Sequence, residues 1–244
     1  YHLLSEALPD GTPGAARIDA SAEVVTSWRG AGRDGRVHLE IASTQDRAIR
    51  RHVLDGIARQ VDSIGLNERE TIDLIELLPD DGLAALCDRE PRADHLFWAL
   101  RRVFEHTGVP RIQLHMFGLY LTLSRKGVKP GLDANRGGMA VAAVVAAGKA
   151  GTGSLDSADN LLWAAGHDVS DRGLEELQRL ATELGDDGPD GLMATGIWRG
   201  PDFDVVAVPT ILVEHPVTLV GMGDTISSVS LVAASVSLDD SPSL

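Results

Sequence analysis

The run Gly221-Met222-Gly223-Asp224 has the residue types and spacing for phosphoryl chemistry. It lies between apolar residues 211–213 and an apolar stretch at residues 229–236. A glycine-rich turn that feeds a helix leaves backbone N–H groups unpaired, and with the positive end of the helix dipole they form a site for a phosphoryl group in transfer. Asp224 lies at the mouth of this site, where a carboxylate could accept the proton of an attacking hydroxyl. The alternative is that Asp224 is only a helix N-cap, because the motif is short.

A second candidate pair, His38 and Glu40, lies in a segment where polar and apolar residues alternate. This alternation is typical of a strand and puts both side chains on one face. Ionisable side chains on one face are unusual in a buried parallel strand, which is normally apolar throughout. An edge strand with one face in water explains the pair without any ligand.

A third candidate pair is Asn67 and Glu70, which follow a short apolar run. With Asn67 as N-cap and Glu70 at the third helical position, the spacing is close to a capping box. Capping signals are common at helix starts, so helix chemistry alone also explains this pair.

The three motifs, in this order along the chain, resemble the ADP-dependent sugar kinases, the glucokinase and phosphofructokinase family of the ribokinase-like superfamily. The flanking residues 38–43, 63–68 and 220–227 look like sequence of that family. In the family, His-x-Glu, Asn-x-x-Glu and Gly-x-Gly-Asp supply the magnesium and phosphate site and the catalytic base. The resemblance extends from about the first residues, 1–4, to the helix after Asp224.

The resemblance implies a role for each motif. Asp224 would be the base, and the amides of Gly221, Met222 and Gly223 would hold developing phosphate charge. Glu40 and Glu70 would hold Mg²⁺, directly or through water, since magnesium takes one or two carboxylates and relies on waters and substrate phosphates. His38 and Asn67 would orient these carboxylates or the bound waters.

The resemblance also implies that His115, Tyr120 and Val213 flank the adenine of the nucleotide. Purine faces need apolar or aromatic walls, with a few backbone groups for orientation. For His115 and Tyr120, ordinary packing at a sheet face is an equal alternative, because a buried Tyr or His usually needs only one polar partner.

The implied activity is transfer of the β-phosphoryl group of ADP to glucose or fructose 6-phosphate, with release of AMP. Two alternatives stay open: an ATP-dependent carbohydrate kinase of the ribokinase type and a non-catalytic nucleotide-binding module. A P-loop enzyme is excluded, because the chain has no Gly-x-x-x-x-Gly-Lys-Ser/Thr sequence. Members of the family are much longer, so we expect this chain to be the C-terminal part of such a kinase. Most of the lid domain, much of the sugar pocket and an arginine that reaches the phosphate would lie outside it. The 244 residues therefore do not indicate which of the two sugars is the acceptor.

Composition limits the partners and the surroundings of the protein. The 244 residues carry a formal net charge of −14, which argues against a nucleic-acid partner, because phosphate backbones need clustered Lys and Arg. No apolar run approaches the ~20 residues of a membrane span. Cys87 is the only cysteine, so an internal disulfide and a thiolate metal site are excluded, and a reducing cytoplasm is the expected location. The sequence does not indicate an oligomeric state.

Strand-like and helix-like periods alternate along the chain, which predicts an α/β fold with a mostly parallel central sheet flanked by helices. The resemblance implies a ribokinase-like arrangement, with the lid domain largely absent. We expect one domain over residues 1–236 and a polar tail at residues 237–244. Ligands of open α/β sheets bind outside the carboxyl ends of the strands, so Glu40, Glu70 and Asp224 are expected to face one crevice. The predicted elements near the motifs are strands at residues 37–42, 62–66, 203–208 and 210–213, a strand pair at residues 111–123 interrupted at Gly118, helices at residues 46–60 and 68–78, and an Ala-rich helix that opens at residues 135–138.

Overall fold

The computed structural model describes residues 5–31, 35–79 and 81–236 of the chain. Residues 1–4, where the resemblance begins, and the predicted polar tail at residues 237–244 lie outside the described residues. The helices are α1 (Gly14–Gly30), α2 (Arg47–Asp55), α3 (Glu68–Ile75), α4 (Leu83–Arg89), α5 (Ala93–Thr107), α6 (Leu132–Thr152), α7 (Ala158–Ala165), α8 (Asp171–Glu183), α9 (Leu192–Thr195) and α10 (Met222–Val236). The strands are β1 (His38–Glu40), β2 (Ser63–Leu66), β3 (Arg111–Met116), β4 (Leu119–Arg125), β5 (Ile197–Arg199) and β6 (Phe203–Pro209).

The strands form one sheet in the order β1-β2-β3-β4-β6-β5. β1 runs parallel to β2, with Glu40 opposite Gly65, whereas β6 is antiparallel to both β4 and β5. A tight turn at Phe117 and Gly118 joins β3 to β4, and Gly118 takes the positive φ of +99° that favours glycine. The α/β sheet with flanking helices and the strand pair interrupted at Gly118 are therefore confirmed. The sheet is mixed, and the expected parallel pairing holds for β1 with β2 but not for β6 with its neighbours.

The predicted strand at residues 210–213 is an irregular segment instead. The ladder between β4 and β6 reaches its last pair at Leu119 and Pro209. Thr210 donates one more backbone hydrogen bond, to the Gly118 carbonyl at 2.9 Å. No strand pairing is found for residues 211–213 within the part of the chain that the structure describes. Val213, a predicted nucleotide contact, therefore lies outside the regular sheet.

The chain divides into two compact units. The first comprises the residues up to Pro91 together with His95–Ile112, and the second comprises Arg92–Asp94 and the residues from Gln113 onward. Each unit has its own buried apolar residues, such as Leu54 and Leu66 in the first unit and Met139 and Val206 in the second. The expected single domain over residues 1–236 stays a prediction.

In the second unit, α10 packs closely against the Ala- and Gly-rich helix α6. A Cβ atom placed on Gly138 of α6 would lie 2.2 Å from the Ser230 carbonyl oxygen and 2.9 Å from the Ala234 Cβ atom, both in α10. Ser230 also donates to the Gln113 side-chain oxygen on β3 at 3.0 Å. These contacts fix the helix that begins with the Gly-x-Gly-Asp motif. Among the described residues, no helix has both the length and the apolar character to cross a membrane.

Candidate active site

His38 and Glu40 contact each other on β1 in the first unit. The His38 Nε2 atom lies 3.2 Å from a Glu40 carboxylate oxygen, as expected for side chains two residues apart on one face of a strand. β1 is the first strand in the sheet order, as the edge-strand alternative requires. The two side chains are nevertheless only 17% and 18% exposed, so this face of the edge strand is largely shielded from water.

Asn67 and Glu70 form a complete capping box at the start of α3. The Asn67 side chain accepts from the Glu70 N–H at 3.0 Å, and a Glu70 carboxylate oxygen accepts from the Asn67 N–H at 2.9 Å. The other Glu70 oxygen accepts from the Ser43 hydroxyl at 3.1 Å. Because β1 and β2 are parallel, the loop that carries Ser43 and the start of α3 leave the sheet at the same edge. Ser43, which the sequence did not single out, therefore ties the His-x-Glu loop to the Asn-x-x-Glu helix.

The proposed ligands Glu40 and Glu70 form a small set of metal donors. Among the described residues, no group of three or more His, Cys, Asp and Glu side chains is arranged to hold a metal ion. Magnesium fits such a small set, because it keeps several waters and takes few carboxylates. A carboxylate has about four lone-pair sites, so one carboxylate can both accept hydrogen bonds and bind an ion or its water.

The Gly-x-Gly-Asp motif forms the first turn of α10 in the second unit. Gly221 precedes the helix with a φ of +65°, and its carbonyl accepts the first helical hydrogen bond, from the Thr225 N–H at 3.1 Å. The N–H groups of the first turn have no partner within the helix, so they are available to an anion. Asp224 is the third residue of α10 and is exposed, so it does not occupy the N-cap position that the alternative proposed.

An apolar side chain anchors this turn to the core of the second unit. Met222, between the two glycines, packs against a buried cluster that includes Tyr120, Met139 and Ile226. The helix start therefore combines a turn at Gly221 with an apolar side chain packed against the core. This arrangement holds the amides in place while the Asp224 carboxylate stays in solvent.

The three predicted nucleotide contacts differ in their exposure. Tyr120 lies on β4 and is 6% exposed, and burial raises the pKa of its phenol, which keeps its proton at neutral pH. His115 on β3 is also buried, whereas Val213 is partly exposed in the segment after β6. Core packing accounts for the position of Tyr120, and the nucleotide role of these residues stays a prediction.

The family comparison covers all three motifs. The ADP-specific Phosphofructokinase/Glucokinase conserved region matches residues 1–233 of the chain. This chain belongs to the ADP-specific phosphofructokinase/glucokinase family. The predicted family and the predicted α/β fold are therefore confirmed.

Relatives of this phosphofructokinase/glucokinase family member are about twice its length. The ADP-specific phosphofructokinase of Methanosarcina acetivorans is 28% identical over an alignment of 245 positions, which covers 96% of this chain and 48% of the relative. The ADP-dependent glucose/glucosamine kinase of Pyrococcus abyssi is 32% identical over 200 residues, which cover 81% of this chain and 41% of the relative. A solved structure described as an ADP-dependent kinase complex with fructose-6-phosphate and ADPbetaS matches with a TM-score of 0.87 and 25% identity, over 98% of this chain and 53% of that one.

Proposed function

We propose that this chain supplies the nucleotide-binding and catalytic part of an ADP-dependent sugar kinase. The observation that carries the proposal is the exposed Asp224 in the first turn of α10, within a chain that the family region matches over residues 1–233. The names of the Methanosarcina acetivorans and Pyrococcus abyssi relatives support ADP as the phosphoryl donor.

In the proposed reaction, a sugar hydroxyl attacks the β-phosphorus of ADP. A bond forms between the hydroxyl oxygen and phosphorus, and the bond from phosphorus to the bridging oxygen breaks, so that AMP leaves with that oxygen. Asp224 accepts the hydroxyl proton. The free amides at the start of α10 stabilise the charge on the transferring group, which is the main task of a protein in phosphoryl transfer.

Magnesium belongs to the same proposal. Bound magnesium would neutralise the charge that develops on the phosphate oxygens. Glu40 and Glu70 would hold it, directly or through water. The 3.2 Å contact with His38 orients Glu40, and the hydrogen bonds from Ser43 and Asn67 fix both oxygens of Glu70. Hydrogen-bonded supports of this kind set the direction of a ligand and its basicity.

The acceptor is proposed to be glucose or fructose 6-phosphate. The phosphofructokinase relative and the solved complex with fructose-6-phosphate favour the phosphorylated sugar, whereas the Pyrococcus abyssi relative favours the free sugar. His115, Tyr120 and Val213 are proposed to flank the adenine. A cytoplasmic location is part of the proposal, and Cys87, a buried free thiol, is compatible with it.

Release of AMP by the protein as its gene encodes it tests the proposal. With magnesium present, ADP plus one of the two sugars should give AMP in proportion to sugar phosphate formed. Release of ADP from ATP with the same sugars would favour the ATP-dependent alternative. Binding of ADP with no sugar-dependent release of either product would favour a non-catalytic module.

A further inference from the structure

Lys149 lies near the end of α6 and reaches the start of α10. Its Nζ atom donates to the Thr225 hydroxyl oxygen at 2.8 Å and to the Gly221 carbonyl oxygen at 3.2 Å. Lys149 is the basic residue in the last turn of a helix whose other residues near this end are mostly Ala and Gly. Its ammonium group is therefore directed to the Gly-x-Gly-Asp turn.

The Gly221 carbonyl receives three donors. Besides Lys149, the Thr225 N–H donates to it at 3.1 Å and the Thr225 hydroxyl at 2.8 Å. The carbonyl belongs to the same planar peptide unit as the Met222 N–H, and in a trans peptide these two groups point in opposite directions. Whatever holds the Gly221 oxygen therefore also sets the direction of the Met222 N–H, the first amide of the anion site.

The same end of α6 also holds the segment before the motif. The Val217 N–H donates to the Ala150 carbonyl at 2.7 Å, and Val217 packs so close to Gly153 that a Cβ atom there would lie 2.9 Å from its Cγ1 atom. The C-terminal end of α6 thus contacts the chain both before and after Val220, at Val217 and at Gly221. We call this end of α6 the platform. Lys149 is the part of this platform that carries charge.

We propose that Lys149 is a positioning residue for phosphoryl transfer. It holds the Gly221 peptide unit so that the Met222 amide is directed at the transferring group, and its ammonium adds positive charge beside that site. This inference rests on the proposed kinase function. Because it concerns charge that develops during transfer, loss of Lys149 acts more on kcat than on the KM for ADP.

The decisive comparison is Lys149→Met against Lys126→Met. Lys126 is a lysine of the same unit that pairs with Asp204 at 2.5 Å, so its replacement removes the same charge and an ion pair elsewhere. In the protein as its gene encodes it, we expect Lys149→Met to lower kcat by about 10- to 100-fold, with a smaller change in KM for ADP, whereas Lys126→Met leaves both unchanged. Lys149→Arg keeps the charge and the donors and should recover most of the rate. A Lys149→Met enzyme with the kcat of Lys126→Met would overturn the inference.

Two further measurements keep the inference testable if Lys149→Met folds poorly. Thr225→Val removes the hydroxyl that links Lys149 to Gly221. Like Lys149→Met, it should lower kcat. The backbone amide resonances of Met222 and Gly223 should shift in Thr225→Val and Lys149→Arg and stay in place in Lys126→Met. Unchanged resonances together with an unchanged kcat would contradict the positioning role.

Asp224→Asn separates this inference from the proposed function. If the unmodified protein releases no AMP, or if Asp224→Asn retains its rate, the kinase proposal fails whatever Lys149 does. If Asp224→Asn is inactive while Lys149→Met matches Lys126→Met, only the role of Lys149 is rejected.

Discussion

Asp224 is exposed at the third position of α10, and this placement decides how a substitution should act. Asn has nearly the same shape and cannot accept the proton of a sugar hydroxyl. In the protein as its gene encodes it, we therefore expect Asp224→Asn to lower sugar-dependent AMP release by at least ~10²-fold, with ADP affinity little changed. Steady-state rates and calorimetry with ADP measure the two effects. Asp187→Asn, in an exposed loop, is the matched control. A rate within a few-fold of the unmodified protein would assign Asp224 a structural role only.

Glu70 has a structural role that can be separated from its proposed metal role. Gln at this position can accept from the Asn67 N–H through its oxygen and donate to the Ser43 hydroxyl through its nitrogen, so the capping box is kept. We expect Glu70→Gln to lower the free energy of unfolding by less than about 1 kcal/mol while it weakens magnesium-dependent ADP binding. Urea unfolding and ADP titrations with and without magnesium test both expectations, with Glu105→Gln as a control on α5. Unchanged magnesium dependence would leave Glu70 as a helix cap alone.

The number of residues that separate two contacting groups in the sequence explains which parts of the site could be predicted. The capping box joins Asn67 and Glu70, three residues apart, so the spacing alone indicates it. The Ser43–Glu70 bond spans 27 residues and the Lys149–Gly221 bond spans 72. These two contacts depend on how the elements pack, and no local pattern in the sequence reports them.

At the scale of elements, two neighbouring glycines of α6 test the packing that fixes α10. Gly138 faces α10 at contact distance, whereas a Cβ atom on Gly137 would meet nothing within 4 Å. We expect Gly138→Ala to lower the free energy of unfolding by about 1–3 kcal/mol, because the added methyl group collides with Ser230 and Ala234. Gly137→Ala should be neutral or raise it by about 0.5–1 kcal/mol, because Ala is the better helix former. Urea unfolding of both variants checks the pair. Equal stabilities would mean that α6 and α10 pack less closely than described.

A charged cluster between α2 and α5 gives a prediction on pH. A hydrogen bond from His106, at 2.7 Å, lowers the pKa of Asp55, and the charges of Arg51 and Arg59 add to this effect. A carboxyl whose pKa is lowered by folding stabilises the protein above its ordinary pKa, and this contribution is lost as the pH falls through the folded value. Asp55→Asn should therefore lower the free energy of unfolding at pH 7, by at most about 1 kcal/mol because Asp55 is partly exposed, and the difference should shrink below about pH 4. A difference that stays constant from pH 7 to pH 3 would contradict this account.

Element boundaries show where periodicity stops being informative. The apolar spacing at residues 46–60 predicts one helix, but α2 ends at Asp55, because Gly56 adopts φ −103° and ψ −102° before a short 3-10 turn. The sequence pattern also did not predict whether each strand runs parallel or antiparallel to its neighbour. Apart from Asp204, the segment that forms β6 is apolar, as a parallel strand would be, and only its register with β4 shows that it is antiparallel. The apolar pattern of one strand indicates how buried the strand is, but not the direction of the neighbouring strand.

At the scale of the whole molecule, the chain spans 48% of its Methanosarcina acetivorans relative and 41% of its Pyrococcus abyssi relative. It nevertheless contains each of the three motifs that the resemblance assigns to metal, phosphate and base. The resemblance assigns most of the lid, much of the sugar pocket and a phosphate-reaching arginine to the part of the relatives that lies outside this chain. Binding of nucleotide and transfer of its phosphoryl group should therefore separate in experiments on residues 1–244.

We expect residues 1–244 alone to bind ADP with magnesium at micromolar to millimolar strength, roughly −8 to −4 kcal/mol, and to phosphorylate neither sugar at a useful rate. The groups proposed to bind nucleotide and magnesium all lie within residues 1–244. Transfer also needs water to be excluded and the hydroxyl to be held in line, which closure of a lid normally provides. Calorimetry with ADP measures the binding, and a coupled assay of AMP release measures the transfer. Glu70→Gln should weaken the calorimetric signal and Asp224→Asn should leave it intact, which ties the binding to the proposed site. Rapid AMP release that depends on sugar would show that these residues already hold the acceptor and shield the transfer from water.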